Sequence, residues 1–244
     1  MPKYKLDDQG NYLPFPGYTV ICKLNLEEEF DGWFNIYNTL IHDKNITDFY
    51  SILPLSSWHV TAINLFTQEA VEHRHVEWGG YVASKQEFFD QLSQVLQQRQ
   101  ITPTLTYADL YTNGALQVDV ALDKQSIDWI HALAKYYKYE RNVPSHFHVT
   151  LGYQYNNALN STQAKALKSE LAPRIQTYLS EISHRLLQLQ PAQLCYFEDM
   201  LAFTPLEPRS CSSSRAASIS MFAPKARVTP VDDACKPLES PKQT

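Results

Sequence analysis

The feature that most restricts this chain is a short phrase that occurs twice. Trp58-His59-Val60-Thr61-Ala62 and Phe147-His148-Val149-Thr150-Leu151 share one order: aromatic, His, Val, Thr, aliphatic. β-Branched and aromatic residues favour extended backbone, so both copies are expected to be strands. Side chains alternate along a strand. His59 and Thr61 therefore face one way and Val60 the other, and His148 and Thr150 stand in the same relation to Val149. At a rise of ~3.3 Å per residue, each copy sets an imidazole and a hydroxyl about 7 Å apart. A fold that uses both copies must join the two strands with the valines in a core and the His and Thr side chains in a cleft.

Two imidazoles and two hydroxyls lining one cleft suit phosphodiester chemistry without a metal. A neutral His takes a proton from the attacking hydroxyl and a protonated His gives one to the leaving oxygen. Hydroxyl groups donate to the phosphoryl oxygens as charge builds there. Histidine fits both roles because its ordinary pKa of ~6.5 keeps both protonation states accessible near neutrality.

The rest of the chain reads as α+β. Residues 6–17, with Pro14, Pro16 and Gly17 among aromatics, form an irregular leader. Residues 18–24 read as a strand. A helix is expected from Glu27 to about Asp43, its acidic first turn suiting the helix dipole. Residues 49–53 give a second strand, stopped by Pro54, and the first motif strand runs from Trp58 to Phe66. In the excursion 68–82, His73 and His75 form an exposed loop pair without a nearby Cys or carboxylate cluster and are not expected to bind metal. Ser84 and Glu87 predict a capping box for a helix striped by Phe88, Leu92, Val95 and Leu96. Runs 103–111 and 115–120 flank Thr112-Asn113-Gly114, the clearest hairpin signal. A helix over 124–139, the second motif strand 146–153 and a helical stretch 161–188 follow, with Pro173 expected to kink or divide the last. Residues 193–197 read as a final strand, extended by Met200–Phe203.

The order of elements in the first half is roughly mirrored in the second, which predicts two lobes, each supplying one motif to a cleft between them. Residues 1–203 are expected to be one domain. From Thr204 onward Pro and Ser recur and apolar periodicity ends, so 204–244 is expected to be a disordered tail.

Composition narrows the partners. A net charge of −5 argues against a protein that coats nucleic acid through bulk electrostatics, but not against a nucleotide or a short RNA in a locally positive cleft. Fifteen tyrosines are compatible with stacking surfaces for bases. The four cysteines have no CxxC spacing and read as free thiols. No apolar run approaches a membrane span and the N-terminus lacks a secretory core, so a cytoplasmic monomer with no membrane contact is expected.

The paired His-Val-Thr strands resemble those of the two-histidine (2H) phosphoesterase superfamily, which includes 2′–5′ RNA ligase-like proteins and cyclic phosphodiesterases. The opening Leu6-Asp7-Asp8-Gln9-Gly10-Asn11-Tyr12-Leu13-Pro14-Phe15-Pro16-Gly17 resembles a little-characterised microbial branch of it. The resemblance covers about residues 5–203. It implies a bilobal fold of two antiparallel-sheet lobes with flanking helices and pseudo-twofold symmetry around a central cleft. It further implies a metal-independent phosphodiesterase that needs no cofactor and acts on RNA ends, 2′–5′ oligonucleotides or cyclic nucleotides. A nucleotide-binding module of the same fold and a 2′–5′ ligase-like activity are the alternatives. By the same resemblance His59 and His148 are the catalytic pair, and Thr61 and Thr150 hold the phosphoryl group. His146, Tyr107, Tyr153 and Arg141 are further candidates, with Lys23 a second candidate cation. Strict alternation turns Tyr153 away from His148 unless a bulge at Gly152 reverses it.

Overall fold

A computed structural model describes residues 5–26, 32–99, 102–112, 114–155 and 159–208, the side chains of Tyr107 and Tyr111 excepted. In chain order its elements are β1 (Gly17–Lys23), α1 (Gly32–His42), the one-turn α2 (Lys44–Thr47) and β2 (Tyr50–Ile52). A 3-10 turn at Leu55–Ser57 leads into β3 (His59–Thr67), followed by α3 (Gln68–Glu72), α4 (Trp78–Ser84) and α5 (Gln86–Gln98). Next come the β4 (Leu105–Thr112) and β5 (Ala115–Leu122) hairpin, α6 (Lys124–Tyr136) and a 3-10 turn at Glu140–Asn142. The described chain closes with β6 (His148–Gln154), α7 (Ser161–Arg185), β7 (Gln193–Phe197) and the two-residue β8 (Thr204–Pro205).

The strands form one open sheet in the order β4-β5-β6-β3-β1-β7-β8, with β2 also paired to β6. All pairings are antiparallel. The architecture is the expected α+β one, and its two lobes are the two halves of this sheet. They meet at a single register pair, Val60 with Val149. Because β3 and β6 run antiparallel through that pair, a local twofold there exchanges one motif for the other.

The valine face is the buried one: Val60, Val149, Val118, Val20 and Leu151 are all fully buried. α7 packs on β4 and on α1, and α5 packs on β7. α1 contributes Trp33, Ile36 and Leu40, spaced three and four apart. Trp33 meets Trp58 edge to face at 6.2 Å, and each large apolar side chain buried in this way contributes on the order of 2–3 kcal/mol.

Several expected boundaries move. Pro173 lies inside one unbroken helix, whose buried Leu171, Ile175 and Leu179 run straight past it. Packing of that apolar stripe outweighs the lost backbone bond. Ser84 ends α4, its hydroxyl donating to the Tyr81 carbonyl at 2.6 Å, and does not cap α5. Met200–Phe203 is not strand; Met200 and Phe203 are buried instead. Order also continues past the expected boundary at 203, because Thr204 and Pro205 pair with Tyr196 and Cys195. Residues 209–244 of the expected tail lie outside the described residues, as do Glu27–Glu29 and Asn113.

Candidate active site

The Val60–Val149 pair fixes what lies on the other face. One step either way along the ladder, His59 stands across from Thr150 and Thr61 across from His148. The two imidazoles are thus diagonal neighbours, ~7–8 Å apart between strands. All four side chains line one cleft with a volume of about 330 Å³.

Each histidine is oriented by its own strand. His59 Nδ1 lies 2.7 Å from the Ser57 carbonyl, and His148 Nδ1 lies 3.1 Å from the His146 carbonyl. A carbonyl only accepts, so each Nδ1 carries its proton as donor and leaves Nε2 for a ligand. Thr150 is held as well: the Gln117 side-chain amide donates to its hydroxyl at 3.4 Å.

Immediately after each motif the register slips by one residue. In the β1–β3 ladder Ile21 pairs with Thr61 and Val20 with Ile63, which skips Ala62. In the β5–β6 ladder Gln117 pairs with Thr150 and Leu116 with Gly152, which skips Leu151. A one-residue bulge reverses the parity of the residues beyond it. Tyr153 and Asn64, each three residues beyond its motif threonine, therefore return to the cleft face, and both line the cleft. The bulge that Tyr153 needed is present, one residue earlier than Gly152.

The two histidines differ in what stands beside them. Lys23 is the ladder partner of His59, and Asp119 is the ladder partner of His148. The Phe203 ring sits edge-on over His59 at 4.2 Å, and Lys23 Nζ donates to the Phe203 carbonyl at 3.2 Å. Burial pushes the His59 imidazolium down to about 4; the charges of His148, Lys5 and Lys23 add to the effect, and the Ser57 hydrogen bond opposes it. His59 is therefore neutral at pH 7.

Folding stability depends on pH as a result. The unfolded chain takes up a proton on His59 near pH 6.5 and the folded chain only near 4, so stability rises with pH across that window. The shift corresponds to about 3 kcal/mol. Urea unfolding at pH 4.5 and pH 7 is expected to show about 2 kcal/mol of this in wild type and to lose most of it in His59→Asn. An equal pH slope in the variant would remove His59 as the cause.

The other candidates separate. Tyr153 joins the site. His146 is exposed and contributes its backbone carbonyl to His148. Arg141 is exposed in the 3-10 turn Glu140–Asn142 and is not among the cleft walls. Tyr107 belongs to β4, two strands from β6; its side chain lies outside the described residues. His73 caps the end of α3, and among the described residues no group of three or more His, Cys, Asp or Glu side chains is placed to hold a metal. Four contributors went unforeseen: Asn64, Gln117, Phe203 and Lys5. Lys5 reaches the cleft from the leader, its Nζ donating to the Tyr153 hydroxyl at 3.0 Å.

The antiparallel α+β sheet thus joins two His-x-Thr strands over one cleft. Residues 5–123 match the 2H-phosphodiest family, described as a domain of unknown function (DUF1868). That match takes in the first motif strand and ends before the second. The chain is 28% identical over 191 residues to the uncharacterized protein 127L of Invertebrate iridescent virus 6, covering 69% of this chain and 81% of that protein. The fold is shared with the crystal structure of ATU0111, a protein of unknown function from Agrobacterium tumefaciens (TM-score 0.52, 18% identity, 83% of this chain and 89% of that one). E. coli LigT in its apo form is similar at TM-score 0.44 and 14% identity, over 79% of this chain and 95% of that one. Among the described residues no helix is long and apolar enough to cross a membrane.

Proposed function

We propose that the protein is a phosphodiesterase that cleaves a phosphodiester in RNA ends, 2′–5′ oligonucleotides or cyclic nucleotides by acid–base catalysis between His59 and His148. The observation that carries this reading is the diagonal placement of two Nδ1-anchored imidazoles with two hydroxyls between them. His59, held neutral, is the base: its Nε2 takes the proton of an attacking water or neighbouring ribose hydroxyl. His148 is the acid. The attacking oxygen bonds to phosphorus, the bond to the leaving ribose oxygen breaks, and that oxygen receives the His148 proton. Thr61 and Thr150 donate to the non-bridging oxygens, where they stabilise the charge of the transition state.

The test is turnover of 2′,3′-cyclic nucleotides, 2′–5′ and 3′–5′ oligoadenylates and cyclic dinucleotides with EDTA present. Hydrolysis of one class is expected, with an acid limb of kcat/KM near pH 4 set by His59. Saturable nucleotide binding with no turnover would replace the enzyme by a binding module. Activity abolished by EDTA would overturn the two-histidine mechanism.

A further inference from the structure

The cleft is electrically lopsided. Beyond Thr150 and His59, at one end, stand Tyr153 and Lys5, with Lys23 beside His59. Beyond Thr61 and His148, at the other end, stand Asn64 and its ladder partner Thr19, both neutral, with Asp119 across from His148. Lys5 is only part-exposed. Its Nζ donates one hydrogen bond to the Tyr153 hydroxyl and lies 4.5 Å from the centre of the Tyr153 ring and 5.2 Å from that of Phe15. Among the described residues no carboxylate pairs with it. A cation partly withdrawn from water, with donors to spare and no anion, is set for an anionic ligand.

Along the strand, this end of the cleft is set apart from the His–Thr quartet. The His–Thr quartet is centred on Val149, and Tyr153 lies three ladder positions further along, about 10 Å away at ~3.3 Å per residue. We propose that Lys5 and the Tyr153 hydroxyl form a subsite for a second, non-reacting phosphate, so that the preferred substrate is a nucleotide carrying a phosphate in addition to the scissile one. The inference rests on the nucleotide reading of the cleft and deepens it. Such a substrate lies with its extra phosphate toward His59 and its nucleoside toward Asn64, whose neutral amide hydrogen-bonds a base edge at no electrostatic cost. The polarity of the site thereby sets the direction in which the substrate enters.

The test is binding of two probes, adenosine 2′-monophosphate and adenosine 2′,5′-bisphosphate, to wild type and to Lys5→Met, which keeps the aliphatic stem over Tyr153 and Phe15 but removes the charge. Wild type is expected to bind the bisphosphate about 10- to 100-fold more tightly, the worth of a charge-assisted hydrogen bond, and Lys5→Met to bind both nearly alike. Equal affinity of wild type for the two probes would overturn the subsite while leaving the nucleotide reading intact. A preference that survives in Lys5→Met would overturn the role of Lys5. Failure of both probes to bind would overturn the subsite and the nucleotide reading together.

Discussion

Turnover in a His148→Ala variant is expected to fall by about 10²–10⁴-fold while thermal unfolding stays close to wild type. The imidazole is half-exposed at the cleft and its ring hydrogen bond is to the His146 carbonyl, so truncation empties no core. His59→Ala is expected to lose as much activity, with some stability lost besides, because that ring packs against Phe203. The informative measurement is the double variant. A base and an acid that serve one proton relay act as a unit, so removing both should cost little more than removing one. Losses that multiply would mean that the two histidines act independently, and the paired mechanism would fall.

The second large effect concerns Gly152. A Cβ built there would lie 2.6 Å from the Ser51 carbonyl oxygen and 3.2 Å from the Ile52 Cα. Both are backbone atoms of β2, which pairs with β6 at this point, so the strand itself must move. Gly152→Ala is expected to destabilise the fold by about 2–4 kcal/mol and to disturb Tyr153, the next residue. Gly80→Ala is the control. Its Cβ meets only the carboxylate tip of Glu77, at 3.0 Å, and helical Ala is favoured over Gly by roughly 0.8–1 kcal/mol. Urea midpoints at equal m-value compare the two. A Gly152→Ala midpoint equal to wild type would show that β2 does not press on β6 as described.

The motifs, the hairpin and most helices were legible because their patterns are local. The quartet was legible too, since a strand of period two forces His and Thr onto one face. Asn64 was missed for a physical reason. Continuing the alternation from Thr61 puts Ile63 on the cleft face and Asn64 on the other, and only a bulge reverses this. The sign was present in the sequence: polar residues fall at 59 and 61 and next at 64, with Ala62 and Ile63 between them, a slip of one in phase. Leu151-Gly152-Tyr153 repeats the slip after the second motif. Gln117, Phe203 and Lys5 belong to another category. Each reaches the cleft from a segment distant in sequence, and no local periodicity records which distant segments meet.

The single pair that joins the half-sheets also governs how the site assembles. His59 and His148 are 89 positions apart in the sequence, so bringing them together closes a long loop, at an entropic cost that grows only slowly with its length. The segment matched to the family ends at residue 123, before β6, and so holds one histidine of the two. The strand pairing between His59 and His148 rests on Val60 and Val149 alone. A ligand that touches β3 and β6 together is then a clasp on that seam: at 100 times its Kd it adds about 2.7 kcal/mol to the closed arrangement.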